Sequence, residues 1–126
     1  MKLSDYVAQK AVENGVKHVF MVTGGGAMHL NHSFGSHKDL ECIFNHHEQA
    51  CAIGAEAYYR QSNRLPIVNV TSGPGGTNTI TGVYGAWVDS IAMLVISGQV
   101  KWETTVRSTG LSLRQYGDQE LDIEEL

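Results

Sequence analysis

Proline and cysteine are both scarce in this sequence, with two residues of each among 126. Two cysteines cannot build the multi-bridge framework on which small secreted domains rely. Positive charge is also short. Nine lysines and arginines against thirteen acidic residues leave a net charge of −4, the wrong sign for a nucleic-acid footprint. No apolar run approaches the roughly 18 residues that a membrane span needs. The first ten residues lack the apolar core of a signal peptide, and Asp5 is out of place in a transit peptide. These absences predict a cytoplasmic protein without nucleic-acid or membrane partners, and the length suits one domain over residues 1–126.

Glycine is plentiful, with 14 residues, several of them in two tight groups. Around those groups the pattern alternates between helix and strand. Ser4 can cap a helix that runs to about Asn14, with Leu3, Val7 and Ala11 on one face and Gly15 as its stop. His18–Val22 reads as a buried strand, broken by Thr23-Gly24-Gly25-Gly26, and Ala27 to about Phe34 as a short helix. Leu40–Phe44 is a second strand and His47 to about Gln61 an alanine-rich helix. Pro66–Thr71 is a third strand, Ser72–Gly76 a turn, Thr77–Trp87 a helix, and Ala92–Ser97 an apolar fourth strand. Strands separated by helices predict βαβ units. The expected fold is therefore α/β, a parallel sheet with helices on both faces in a three-layer, Rossmann- or flavodoxin-like arrangement. Such sheets bind ligands at the carboxyl ends of their strands. Both glycine groups and His46-His47-Glu48 fall there.

Each motif admits more than one reading on its own. The Gly24–Gly26 group could let backbone approach a ligand, or be a plain tight turn. It is not a G-x-G-x-x-G fingerprint, and no acidic residue ends the second strand to hold a ribose. In Thr71-Ser72-Gly73-Pro74-Gly75-Gly76-Thr77-Asn78, glycines flank a proline beside hydroxyls and an amide, giving a rigid loop with exposed backbone groups. Without Gly-Lys-Ser/Thr it is no Walker loop. Gly82, Gly85 and Ala86 give the next helix a small-residue face, suited to close contact with another helix or with a partner chain. Glu48 can serve the helix dipole, or present a carboxyl for proton exchange with a ligand. Cys42, His46, His47 and Cys51 match no common zinc spacing, so no metal site is expected. No nucleophile elbow is present.

Taken together, His47-Glu48-Gln49-Ala50, Thr71 to Asn78, Asp89-Ser90-Ile91 and Ile96-Ser97-Gly98-Gln99-Val100 resemble one family. The chain is similar to the N-terminal pyrimidine-binding domain of thiamine diphosphate-dependent enzymes of the acetolactate synthase-like branch, from Leu3 to about Gln99. The resemblance implies that Glu48 is the catalytic residue. It would hydrogen-bond a ring nitrogen of the cofactor's aminopyrimidine and favour the imino tautomer, which takes the proton from the thiazolium carbon. It further implies that Gly24, Gly25, Gly26, Pro74 and Asn78 line the pyrimidine, and that Gln119 lies on the substrate side.

The implied activity is decarboxylation of a 2-oxo acid with transfer of the acyl carbanion equivalent to an acceptor. Within the family the alternatives are a 2-oxo acid decarboxylase or a 2-hydroxyacyl lyase. Outside catalysis, the alternative is a remnant domain kept for subunit interaction. Gly24 stands for the usual proline, His46 for arginine, Ala92 for proline and Asp118 for phenylalanine, departures that bear on the product and not on the cofactor. The Gly-Asp-Gly motif that holds Mg2+ and diphosphate is missing from these residues. The resemblance therefore implies a diphosphate-binding domain on a partner subunit, in a homodimer or tetramer. The polar end, with Asp122-Ile123-Glu124-Glu125-Leu126, reads as the start of a helix in a truncated domain, or as an acidic tail.

Overall fold

The computed structural model describes residues 1–110. Four strands, β1 (His18–Met21), β2 (Glu41–Phe44), β3 (Ile67–Val70) and β4 (Leu94–Ser97), pair in parallel in the order β2-β1-β3-β4. Side chains alternate across this sheet, as a period of two requires. Val19, Met21 and Ile67 face one way, into a core with Ala8 and Ala11 of α1 (Leu3–Glu13) and Phe34 of α2 (Met28–Ser36). Phe20, Val68 and Val70 face the other way, onto Cys51 and Ala55 of α3 (Glu48–Ser62). Helices thus cover both faces of a parallel sheet, the α/β architecture expected from the alternation. β3 is buried along its whole length, as the strand between two neighbours should be.

A further helix, α5 (Ile80–Val88), packs against α3. Gly82 makes this approach possible, because a Cβ there would stand 2.5 Å from the Cβ of Ala52. The small-residue face read from the sequence is therefore a helix–helix contact within the chain. The opposite face of α5 leaves Tyr84, Trp87 and Val88 exposed.

Two local expectations need correction. Ser4 does not cap α1; the helix begins at Leu3, and the Lys2 N–H is taken by the Asp5 carboxylate at 3.2 Å. Ser4 lies inside the helix, buried, with its Oγ 2.8 Å from Ser33 Oγ of α2. The turn expected over Ser72–Gly76 is half helical. Pro74, whose fixed φ suits a first helical position, opens the short helix α4 (Pro74–Thr77), and α5 starts only at Ile80. The polar segment after Lys101 carries a 3-10 turn (Trp102–Thr104) and a short helix, α6 (Val106–Thr109). Gln119 and the acidic end lie outside the described residues. Among those described, no helix is long and apolar enough to cross a membrane.

The α1–α2 contact carries a pH dependence. Ser33 Oγ is 2.7 Å from Asp5 Oδ1, and since a carboxylate can only accept, the Ser33 hydroxyl proton goes to Asp5. That donation, helped by the Lys2 N–H, holds the Asp5 carboxyl below its ordinary value of 3.8. A lowered folded-state pKa adds stability that is fully present above the unfolded value and is lost as pH falls from there through the folded value. Ser33→Ala is expected to lower Tm at pH 6 and to flatten the loss of Tm between pH 5 and pH 3, measured by thermal melts.

Candidate functional site

The chain leaves β1 toward β2 on one side and later returns to place β3 on the other. This reversal makes the carboxyl ends of β1 and β3 a topological switch point, the place where open α/β sheets receive ligands. The loop after β1 carries the glycine turn. Gly25–Ala27 winds into a 3-10 turn, closed by the Ala27 N–H on the Gly24 carbonyl at 3.1 Å. The Gly26 N–H donates to Thr71 Oγ1 at 3.0 Å, joining this turn to the loop after β3. Gly24 rests directly on the Thr71 side chain, and a Cβ there would stand 2.6 Å from Thr71 Cγ2.

Glu48 comes from the third loop. It opens α3 one residue after His47, whose Nδ1 caps the helix by accepting the Gln49 N–H at 3.1 Å. The helix N-terminus favours a carboxylate there. Yet Glu48 is only 9% exposed, and its Oε2 accepts a hydrogen bond from Asn78 Nδ2 at 3.0 Å. The loop from β3 supplies the surroundings. Gly73 takes φ 59° and ψ −121°, a conformation open to glycine. Gly75 sits where a Cβ would be 2.7 Å from Thr71 Cγ2 and 3.7 Å from Glu48 Oε1. Thr79 Oγ1 donates to the Gly76 carbonyl at 2.5 Å and fixes the end of α4.

Gly24, Gly26, Glu48 and Asn78 are thus linked, through Thr71 and Gly75, into one cluster. Gly25 is exposed at the tip of the glycine turn, and Pro74 is exposed at the start of α4. Gln119 is outside the described residues. The residue list read from the sequence omitted three that matter. Thr71 is the hub that touches both glycine groups. Gly98, after β4, packs its Cα against the Gly26–Ala27 backbone, where a Cβ would stand 2.6 Å from Ala27 Cα. Asn31 of α2 directs its Nδ2 at the Gly24 carbonyl, 3.4 Å away. Thr71 and Gly98 lay inside quoted motifs, at strand ends; Asn31 carried no sequence signal.

The cysteine and histidine motif separates. Cys42 packs in the core on the α1–α2 side and Cys51 in the core under α3, so the sheet lies between them. Burial pushes the Cys51 thiol up to about 11, which disfavours the thiolate that a metal would need. Among the described residues no group of three or more His, Cys, Asp and Glu is placed to hold a metal ion.

A heterocyclic cofactor fits the cluster on two observations. Gly75 brings bare backbone beside the carboxyl, since a Cβ there would stand 3.7 Å from Glu48 Oε1. The carboxyl itself has one oxygen steadied by Asn78 while the other lies beside Gly75, so it can meet a ring nitrogen as hydrogen-bond acceptor or donor. The fold and the cluster define a parallel α/β domain that presents a buried glutamate at the carboxyl ends of its strands.

Comparison with known proteins gives the family. Residues 1–126 match the family "Thiamine pyrophosphate enzyme, N-terminal TPP binding domain", and the chain belongs to it. It is 39% identical over 97 residues to the acetolactate synthase large subunit of Buchnera aphidicola subsp. Acyrthosiphon pisum (strain APS), covering 77% of this chain and 17% of the relative. Identity to the acetolactate synthase isozyme 3 large subunit of Escherichia coli (strain K12) is 36%, with the same coverage of 77% and 17%. The chloroplastic acetolactate synthase of Arabidopsis thaliana is 28% identical over 99% of this chain and 20% of its own length. The chain therefore spans about a fifth of these relatives or less.

Proposed function

We propose that this chain is the pyrimidine-binding part of a thiamine diphosphate-dependent enzyme that decarboxylates a 2-oxo acid and passes the acyl carbanion equivalent to an acceptor. The observation that carries the reading is Glu48: a carboxyl 9% exposed, held by Asn78 and beside Gly75, at the carboxyl ends of the parallel strands. When bound, the cofactor supplies an electron sink for the carbon–carbon bond that breaks. The chain's own residues bind and tune it. Glu48 would hold or give a proton at the aminopyrimidine ring, in a site dry enough to strengthen that hydrogen bond. Asn78 fixes the carboxyl's orientation. Gly24–Gly26 and Pro74 to Asn78 would form the two walls beside the ring.

Mg2+ and the diphosphate would be held by a separate domain of a partner subunit, in a homodimer or tetramer. The exposed stripe of Tyr84, Trp87 and Val88 on α5 supports a site completed by other parts of the protein. Residues 1–126 would be one piece of that enzyme, and the cytoplasm its location. Calorimetric titration of the full-length chain with thiamine diphosphate and Mg2+, followed by carbon dioxide release from a panel of 2-oxo acids, tests this reading. Saturable binding with release from at least one acid is expected. Saturable binding without release would leave a cofactor-binding protein, and no binding a remnant domain.

A further inference from the structure

Asn69 is the one polar side chain in the middle of β3, a strand that reads Ile-Val-Asn-Val, and it is fully buried. Apolar residues would fill that place at less cost, because a buried amide needs partners for every polar atom. Asn69 Nδ2 donates to Asn31 Oδ1 of α2 at 2.7 Å, and Asn31 Nδ2 in turn points at the Gly24 carbonyl at 3.4 Å. The direction of these bonds is forced from the far end. A carbonyl can only accept, so Asn31 must turn its NH2 to Gly24 and its Oδ1 to Asn69, which then must offer its own NH2. Asn69 Oδ1 is left buried without a hydrogen-bond partner. A pair that served packing alone would not leave such an atom.

Strand geometry shows what the arrangement holds. Residues 67, 69 and 71 share one face of β3 and its extension, the face toward α2. From that face Thr71 takes the Gly26 N–H directly, and Asn69 reaches the Gly24 carbonyl through Asn31. Both ends of a turn made of three consecutive glycines are thereby tied to one buried strand. Glycine is the residue with most backbone freedom to lose, so an unanchored turn of this composition would sample many shapes. We propose that Asn69 and Asn31 form a positioning relay that fixes the Gly24 carbonyl, and with it the wall that the glycine turn presents to the bound ring. The role at the ring rests on the thiamine diphosphate reading; the pinning of the turn does not.

The test uses the full-length chain and the double variant Asn31→Leu/Asn69→Leu. An apolar pair of similar size removes the relay without leaving one amide unpaired, so Tm is expected to stay within a few degrees of the parent. Amide hydrogen exchange, followed by mass spectrometry on peptides covering Thr23–Met28, is expected to speed up by about tenfold, with β1 and β3 unchanged. Asn31→Leu alone removes the same bond to the Gly24 carbonyl and should speed exchange over Thr23–Met28 to the same extent, but it strands the buried Asn69 amide and should lower Tm as well; it serves if the double variant does not fold. Exchange at the parent rate in either variant overturns the relay. With thiamine diphosphate and Mg2+, Kd should rise by about tenfold through the loss of preorganisation. An unchanged Kd overturns the role at the ring. A parent protein that fails to bind the cofactor would refute the functional reading, while the exchange result still decides the relay.

Discussion

Glu48→Gln is expected to leave the fold intact and to slow deuterium exchange at the cofactor's thiazolium carbon by about 10²- to 10⁴-fold in the full-length enzyme, the range typical of a lost general acid–base group. Glutamine keeps the side-chain length, and its Oε1 can still accept from Asn78 Nδ2, as Glu48 does at 3.0 Å. The buried site therefore keeps its hydrogen bond. What is lost is the ability to carry a proton, since an amide neither ionises nor protonates near neutral pH. Because the packing is conserved, Tm should move by no more than a few degrees, and cofactor Kd should change less than the exchange rate. The expected signature is a large drop in turnover with modest weakening of binding, measured by proton NMR exchange and by calorimetry. Exchange at the parent rate would remove Glu48 from the mechanism. Asn78→Ala offers a graded comparison: it deletes the atom that orients the carboxyl and not the carboxyl itself.

How far the sequence alone carried the fold depended on whether each feature was local. Apolar runs such as His18-Val19-Phe20-Met21 and Ile67-Val68, spaced by helical segments, were enough for a parallel sheet between helices, because period and spacing are local properties. The start of α1 was misread because Ser4 is a good cap in isolation, whereas its hydroxyl is taken up by Ser33, 29 residues away. The same limit governs the site. Glu48 and Asn78 each stood out within their own motif, but their hydrogen bond spans 30 residues and depends on how α3 and α4 meet. Asn69 was not singled out, since one polar residue in the run Ile67-Val68-Asn69-Val70 does not change its reading as a strand. Nor was its partner Asn31, because an asparagine in a helix of mixed polarity carries no mark.

Gly98→Ala is expected to destabilise the protein by about 1–3 kcal/mol, the usual cost of an overpacked methyl group, and to weaken cofactor binding as well. The added Cβ would meet the Gly26 carbonyl oxygen and, at 2.6 Å, the Ala27 Cα. Both are backbone atoms, so no side chain can swing aside. Gly98 cannot retreat either, because its N–H continues the sheet ladder onto the Val70 carbonyl at 2.8 Å. The strain must therefore move the glycine turn, and the Gly26 N–H bond to Thr71 Oγ1 lies in its path. Gly35→Ala in α2 is the control: a Cβ there meets nothing within 4 Å, and alanine favours a helix by about 0.5–1 kcal/mol. Thermal melts should show Gly35→Ala at or above the parent Tm and Gly98→Ala several degrees below it. Calorimetry should show Kd raised only in Gly98→Ala. If Gly98→Ala melted and bound like the parent, the close approach of the β4 loop to the glycine turn would be refuted, and with it the rigidity of the site around Glu48.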